Sequence, residues 1–184
     1  MHDQTSIVNQ SGHTLGLDIS TSITGVTVLD NEGKLVYNEF WDTRNKNKFP
    51  CLYAKGHLIK DKLWNEIRNN FSINKIGVEQ SLHTFRSGFS SAQTLSTLSR
   101  FNGIVCWLCY DIFDIKPTLI SASSARKRSG LKIKRGENAK QKSFDFVVDK
   151  EPSFVVEYTR HGNIKPGILD KSDSYIIAKA AFLG

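Results

Sequence analysis

Three short apolar runs follow one another with almost nothing between them, and they limit the fold more than any other feature of this chain. Leu15–Ile19, Gly25–Leu29 and Lys34–Trp41 each read as a strand, with a turn at Asp30–Gly33. Connections this short let neighbouring strands run only antiparallel, so the segment from Thr14 to Trp41 predicts a meander. A polar, Pro-containing stretch from Thr43 to Pro50 then leads to a helical repeat, Ile59, Leu63, Ile67 and Phe71, followed by a strand, Lys75–Glu79.

The alternation continues to the end of the sequence. A loop from Gln80 to Ser91, rich in Ser and His, precedes a long helix to about Tyr110 that carries Leu95, Leu98, Val105 and Leu108. Lys116–Ile120 is another strand. Ser121 or Ser123 caps a short helix ending near Gly130, and Asn138 opens one that runs through Phe144 and Val147. Asp149–Gly167 has no clear register. A last helix starts near Lys171 and turns Tyr175, Ile176, Ala180 and Phe182 or Leu183 inward. A meander followed by alternating helices and strands predicts an α/β fold: a mixed five-stranded sheet, with the antiparallel meander extended by parallel strands, flanked by helices.

At 184 residues the chain can bury a core without disulfides or a structural metal. The expected organisation is one domain, 14–184, behind a loose polar tail, 1–13, which lacks the basic-then-apolar pattern of a secretory signal. The most apolar stretch, Ile104–Phe113, is broken by Asp111 and falls short of the roughly 20 residues a membrane span needs. A soluble intracellular protein with no membrane partner is expected. Cys106 and Cys109 sit inside an apolar run and read as core thiols, and Cys51 has no matching zinc ligands. His13, His57, His83 and His161 do not fall at metal-ligand spacings, so packed or solvated histidines are expected.

Charge is uneven. The net +7 equals the excess in one segment, where Arg126, Lys127, Arg128, Lys132, Lys134, Arg135, Lys140 and Lys142 stand against Glu137 alone. A local basic surface of this kind suits a polyanion such as DNA. Four acids stand out against it. Asp18 and Glu79 each end an apolar strand, and Asp170 and Asp173 lie one helical turn apart. Gathered in one pocket, four carboxylates tolerate one another only with divalent cations or shifted protonation, as in metal-dependent phosphodiester hydrolysis.

The stretches Leu15–Leu29, Ile76–Gln80 and Asp170–Ala180 resemble, in order and spacing, the three acidic motifs of RuvC-type Holliday junction resolvases. The similarity runs from about Leu15 to the C-terminus. It implies an RNase H-like fold and a homodimer making paired symmetric cuts in a four-way DNA junction. The products implied are 5′-phosphate and 3′-hydroxyl ends. Asp18, Glu79, Asp170 and Asp173 would be catalytic and would hold two Mg²⁺ ions per site, with Mn²⁺ able to substitute and no nucleotide cofactor. Asp18 would be the shared ligand, Glu79 would serve one ion, and Asp170 with Asp173 would complete the other. Arg86 and the basic segment from Arg126 to Lys142 would contact DNA. The cytoplasm of a bacterial or phage-infected cell is the implied location.

The sequence departs from the family pattern in two places. Ser20 stands where relatives often carry glycine, and Leu82 stands where they commonly carry an aromatic wedge. Phe85 is then the candidate wedge for unstacking bases at the crossover, with Phe89 equally able to pack inward. Other readings are an RNase H-fold nuclease for flaps, other branched DNA or RNA–DNA hybrids, and a nucleic-acid-binding module without chemistry. A sugar-kinase or actin-type ATPase would need a second phosphate loop and an adenosine motif, which the sequence lacks.

Overall fold

Side chains alternate across each strand, and in this chain the alternation separates two kinds of packing. In the computed structural model, which describes residues 12–80 and 92–184, strand β1 (His13–Asp18) points Leu15 and Leu17 to one side. Gly16 and Asp18 therefore lie on the other. Strands β2 (Ile23–Leu29) and β3 (Leu35–Asp42) complete the meander, with Asp18 opposite Gly25 and Ile23 opposite Asp42. Strand β4 (Ile73–Glu79) runs parallel to β1, and β5 (Thr118–Ile120) runs parallel to β4. The sheet order is β3-β2-β1-β4-β5, and β2 alone runs against the others. The mixed five-stranded sheet expected from the sequence is therefore present.

One face is covered by helix α1 (Leu52–Lys62) and helix α2 (Ala92–Phe113), which bury Ile59, Phe101 and Val105 against Leu15, Leu17, Val26 and Val78. The expected helix through Phe71 is not a single α-helix. α1 passes into a π-helical turn, Leu63–Arg68, and Phe71 lies beyond it, packed on the core from outside. At 3.6 residues per turn, an apolar residue every fourth position drifts by roughly 40° per step. The wider turn absorbs that drift and keeps Leu63 and Ile67 fully buried.

The opposite face carries helices α3 (Ala122–Arg128), α4 (Ala139–Lys150) and α5 (Ile168–Leu183). Ser121 and Asn138 cap α3 and α4 as their sequences suggest, each accepting a backbone N–H. α5 begins three residues before the expected Lys171, because Gly167 turns the chain in with φ 98° while packed on the Phe40 ring. Tyr175, Ile176 and Ala180 face inward as expected, Phe182 is half-buried, and Leu183 is exposed. The segment without legible register anchors itself through buried Phe154 and a lone bridge between Tyr158 and Ile164. Cys109 is buried and Cys106 half-buried, with burial pushing both thiols up, and Cys51 is exposed. Among the described residues no helix is long and apolar enough to cross a membrane.

Candidate active site

Because only β2 is reversed, β1, β3, β4 and β5 all end at the same edge of the sheet. Strand ends of this kind are where α/β sheets collect ligands. Asp18 closes β1 and Glu79 closes β4, on adjacent parallel strands where Leu17 pairs with Val78. Each acid lies two residues past a glycine, Gly16 or Gly77, and so on the same face as that glycine.

That face receives α5 at unusually close range. A Cβ on Gly16 would stand 2.4 Å from the Ala178 backbone nitrogen, and one on Gly25 would stand 2.0 Å from the Asp170 carbonyl oxygen. The missing side chains let the helix backbone lie directly on β1 and β2. A hydrogen bond between the Thr27 and Ser174 hydroxyls, 2.8 Å, and one donated by Asn38 Nδ2 to the Lys171 carbonyl, 3.1 Å, fix its position along the strands. Asp170 and Asp173, in the first two turns of α5, are thereby carried to the strand ends that bear Asp18 and Glu79.

The four acids feel one another. Burial raises the Asp18 carboxyl well above its usual range, and the charges of Glu79, Asp173 and Asp170 raise it further, with Glu79 within hydrogen-bonding reach. Burial also pushes Asp173 up to about 6; Lys140 pulls against this, while Glu79 and Asp170 add to it. Lys140 Nζ stands 3.5 Å from Asp170 and 3.6 Å from Asp173. Partial burial works against that ammonium, but the charges of Asp170, Asp173 and Asp18 prevail and its pKa is raised. Among the described residues no three acidic, His or Cys side chains already meet at metal-ligand spacing. Lys140 instead supplies the counter-charge.

The predicted basic residues divide into groups. Lys140 reaches the acids directly, and Arg126 is close enough to oppose the upward shift of Asp173 while its Nε donates to Ser143 Oγ at 3.0 Å. Lys142 pairs with Glu137 at 3.2 Å. Lys127, Lys132, Lys134 and Arg135 are exposed on α3 and the loop after it. Arg128 does not join them: α3 runs back from the strand ends, and Arg128 lines a cavity of about 390 Å³ with Asn74, Lys75 and Gly184 at the far edge. Phe85, Arg86 and Phe89 lie outside the described residues, as does His83.

Three contributors were not foreseen. Asn102, on α2, donates from Nδ2 to the Glu79 carbonyl at 3.1 Å and holds the end of β4 from the opposite face. Ser20 braces the turn after Asp18, donating to the Ile23 carbonyl at 2.7 Å and accepting from its N–H at 3.0 Å. Arg44 leaves the end of β3, pairs with Asp42 at 2.6 Å and feels the charge of Asp170. The alternation Arg44-Asn-Lys-Asn-Lys48 was its visible signal.

No protein-family model and no curated protein matches this sequence. Solved structures are. RuvC of T. thermophilus in complex with a Holliday junction substrate aligns at a TM-score of 0.62 with 13% identity, covering 92% of this chain and 91% of that one. The Thermus thermophilus RuvC structure gives 0.62 and 14%, covering 91% and 92%. The yeast mitochondrial Holliday junction resolvase gives 0.58 and 15%, covering 92% of this chain and 77% of its own. This chain has the RuvC fold. The likeness lies in the path of the backbone, and within the RuvC fold it is the glycine-bedded α5 that brings remote acids to one sheet edge.

Proposed function

We propose that this protein is a divalent-metal-dependent endonuclease that resolves four-way DNA junctions by paired cuts in opposed strands. The observation that carries this reading is the gathering of Asp18, Glu79, Asp170 and Asp173 at one sheet edge, from three segments far apart in sequence. The RuvC fold supports the choice of substrate.

Carboxylate oxygens are the donors that hard cations such as Mg²⁺ prefer, with Mn²⁺ able to take the same place. The donor set fits such ions, because burial and mutual repulsion hold Asp18 and Asp173 in a state that added positive charge would relieve. Asp18, Glu79, Asp170 and Asp173 would hold them, with Lys140 giving up its place beside Asp170 and Asp173. When bound, a pair of such cations supplies an activated water and stabilises the leaving oxygen. The chain's own residues do the rest. Asn102 and Ser20 fix the backbone at Glu79 and Asp18, and Lys140, standing beside Asp170, would offset charge developing on the scissile phosphate. Hydrolysis in this manner leaves 5′-phosphate and 3′-hydroxyl ends.

Two cuts placed symmetrically need two copies of the site, and a homodimer facing a two-fold junction provides them. α2 supports this assignment. Its inner side buries Phe101, Val105 and Leu108, while Gly103, Trp107 and Tyr110 form an outward stripe, with Trp107 60% and Tyr110 52% exposed.

The test is cleavage of four-way, flap and linear DNAs with Mg²⁺ by wild type and by Asp18→Asn. Wild type is expected to cut the four-way junction in opposed strands, and Asp18→Asn to bind it and leave it whole. Equal cutting of linear duplex and junction would replace this reading with a general nuclease.

A further inference from the structure

The neutral sum over the remainder of the chain conceals a second basic region. Residues 43–62 hold Arg44, Lys46, Lys48, Lys55, Lys60 and Lys62 against Asp61 alone. The excess disappears from the total because acids elsewhere cancel it. Asp42 neutralises Arg44 and Glu66 neutralises Lys62, but Lys46 and Lys48 have no carboxylate partner among the described residues.

The fold puts this region at the edge that matters. β3 ends at Asp42 opposite Ile23, so the turn that follows leaves the sheet at the same edge as Asp18 and Glu79. Arg44 lies near enough to Asp170 to feel its charge. Lys55 donates to the carbonyl of Thr21, three residues past Asp18, and its pKa is lowered by burial and by repulsion from Lys46. The turn is rigid. The Asn45 carbonyl accepts from the N–H groups of Lys48 and Phe49 at 3.1 and 2.8 Å, and its side chain accepts from Asn47 at 3.0 Å. Lys46 and Lys48 are left exposed on a fixed support, above a cleft of about 680 Å³ that Arg44, Lys48, Phe49 and Lys62 line.

The two basic regions flank the acids. The turn after β3 stands at one side of the sheet, and the segment entered from β5 stands at the other. Arg44 at the end of β3 and Lys140 on α4 both come within range of Asp170, so DNA held at the acids meets a basic region on each side of the scissile phosphate. A cut at the branch point leaves the DNA on those two sides in different duplex arms. Resting on the junction-nuclease reading, we infer that the Arg44–Lys48 turn binds the phosphate backbone of a second duplex arm of branched DNA, opposite the arm met by the Arg126–Lys142 segment.

The test measures binding of a fluorescent four-way junction and of a linear duplex by anisotropy over a range of salt, in the non-cutting Asp18→Asn background with Mg²⁺. Lys46→Ala with Lys48→Ala is expected to weaken junction binding about tenfold or more and to flatten its salt slope by roughly 1.8, for two phosphate contacts. Linear-duplex binding should stay within about twofold, and Lys46→Arg with Lys48→Arg should restore the junction slope. An unchanged junction slope overturns the inference and leaves the nuclease reading intact. Equal losses on junction and duplex overturn the second arm. An Asp18→Asn protein that does not prefer junction over duplex before the lysines are changed overturns both readings together. Thermal unfolding of the lysine variants should match that of the parent, since both side chains are exposed.

Discussion

A carboxyl that holds its proton above the ordinary range has a measurable effect on folding. Asp173 is pushed up to about 6, against about 3.9 for an Asp in an unfolded chain. Between those values the folded protein binds more protons than the unfolded chain. The Asp173 contribution is therefore whole below about pH 4 and is lost as pH rises through 6, on the order of 2 to 3 kcal/mol. Urea unfolding from pH 4 to 7 without divalent cations should show wild type losing stability relative to Asp173→Asn across that window. Parallel curves would contradict the raised value. At this scale the four acids were legible because each followed an apolar run or opened a helical one. Asn102 was not, since it reaches the site from a core-facing helix, and Arg44 had only the signal of an alternating basic loop, which gives no hint of where that loop lies.

The elements that hold these residues depend on small side chains. Gly25→Ala puts a methyl 2.0 Å from the Asp170 carbonyl oxygen, so α5 must shift from β2. The expected result is a loss of about 1 to 3 kcal/mol in stability and at least a hundredfold loss in junction cleavage, by thermal unfolding and single-turnover assay. Trp107→Glu tests α2 differently. Its ring is 60% exposed, so the fold should be kept while light scattering shows a monomer in place of a dimer; a persisting dimer would move the interface elsewhere. Strands β1 to β5 and the caps at Ser121 and Asn138 could be read from the sequence because alternation and capping are local signals. The π-helical turn after Lys62 and the early start of α5 could not, because the first answers the demands of the core and the second depends on Gly167 meeting Phe40.

Across the whole molecule, charge is arranged in alternating bands: basic, acidic, basic along one sheet edge. Net charge alone hid this, since the +7 equals the charge of one band while the rest of the chain sums to zero. The acidic band predicts that Mg²⁺ stabilises the free protein. At about a hundred times its dissociation constant a bound cation adds about 2.7 kcal/mol, or roughly 5 to 10 °C in Tm for a chain of this size. Scanning fluorimetry should show the rise in wild type and not in Asp18→Asn. An equal rise in both would mean that the cation binds elsewhere.

The order in which the acids occur along the chain has its own consequence. Half of them ride on α5, which settles onto glycines laid down in the first strands. A nascent polypeptide that has not yet reached α5 has the basic segments but lacks Asp170 and Asp173. Under the proposed activity, a copy would be blunt until α5 is made and seated, and the blade would be set by that helix alone.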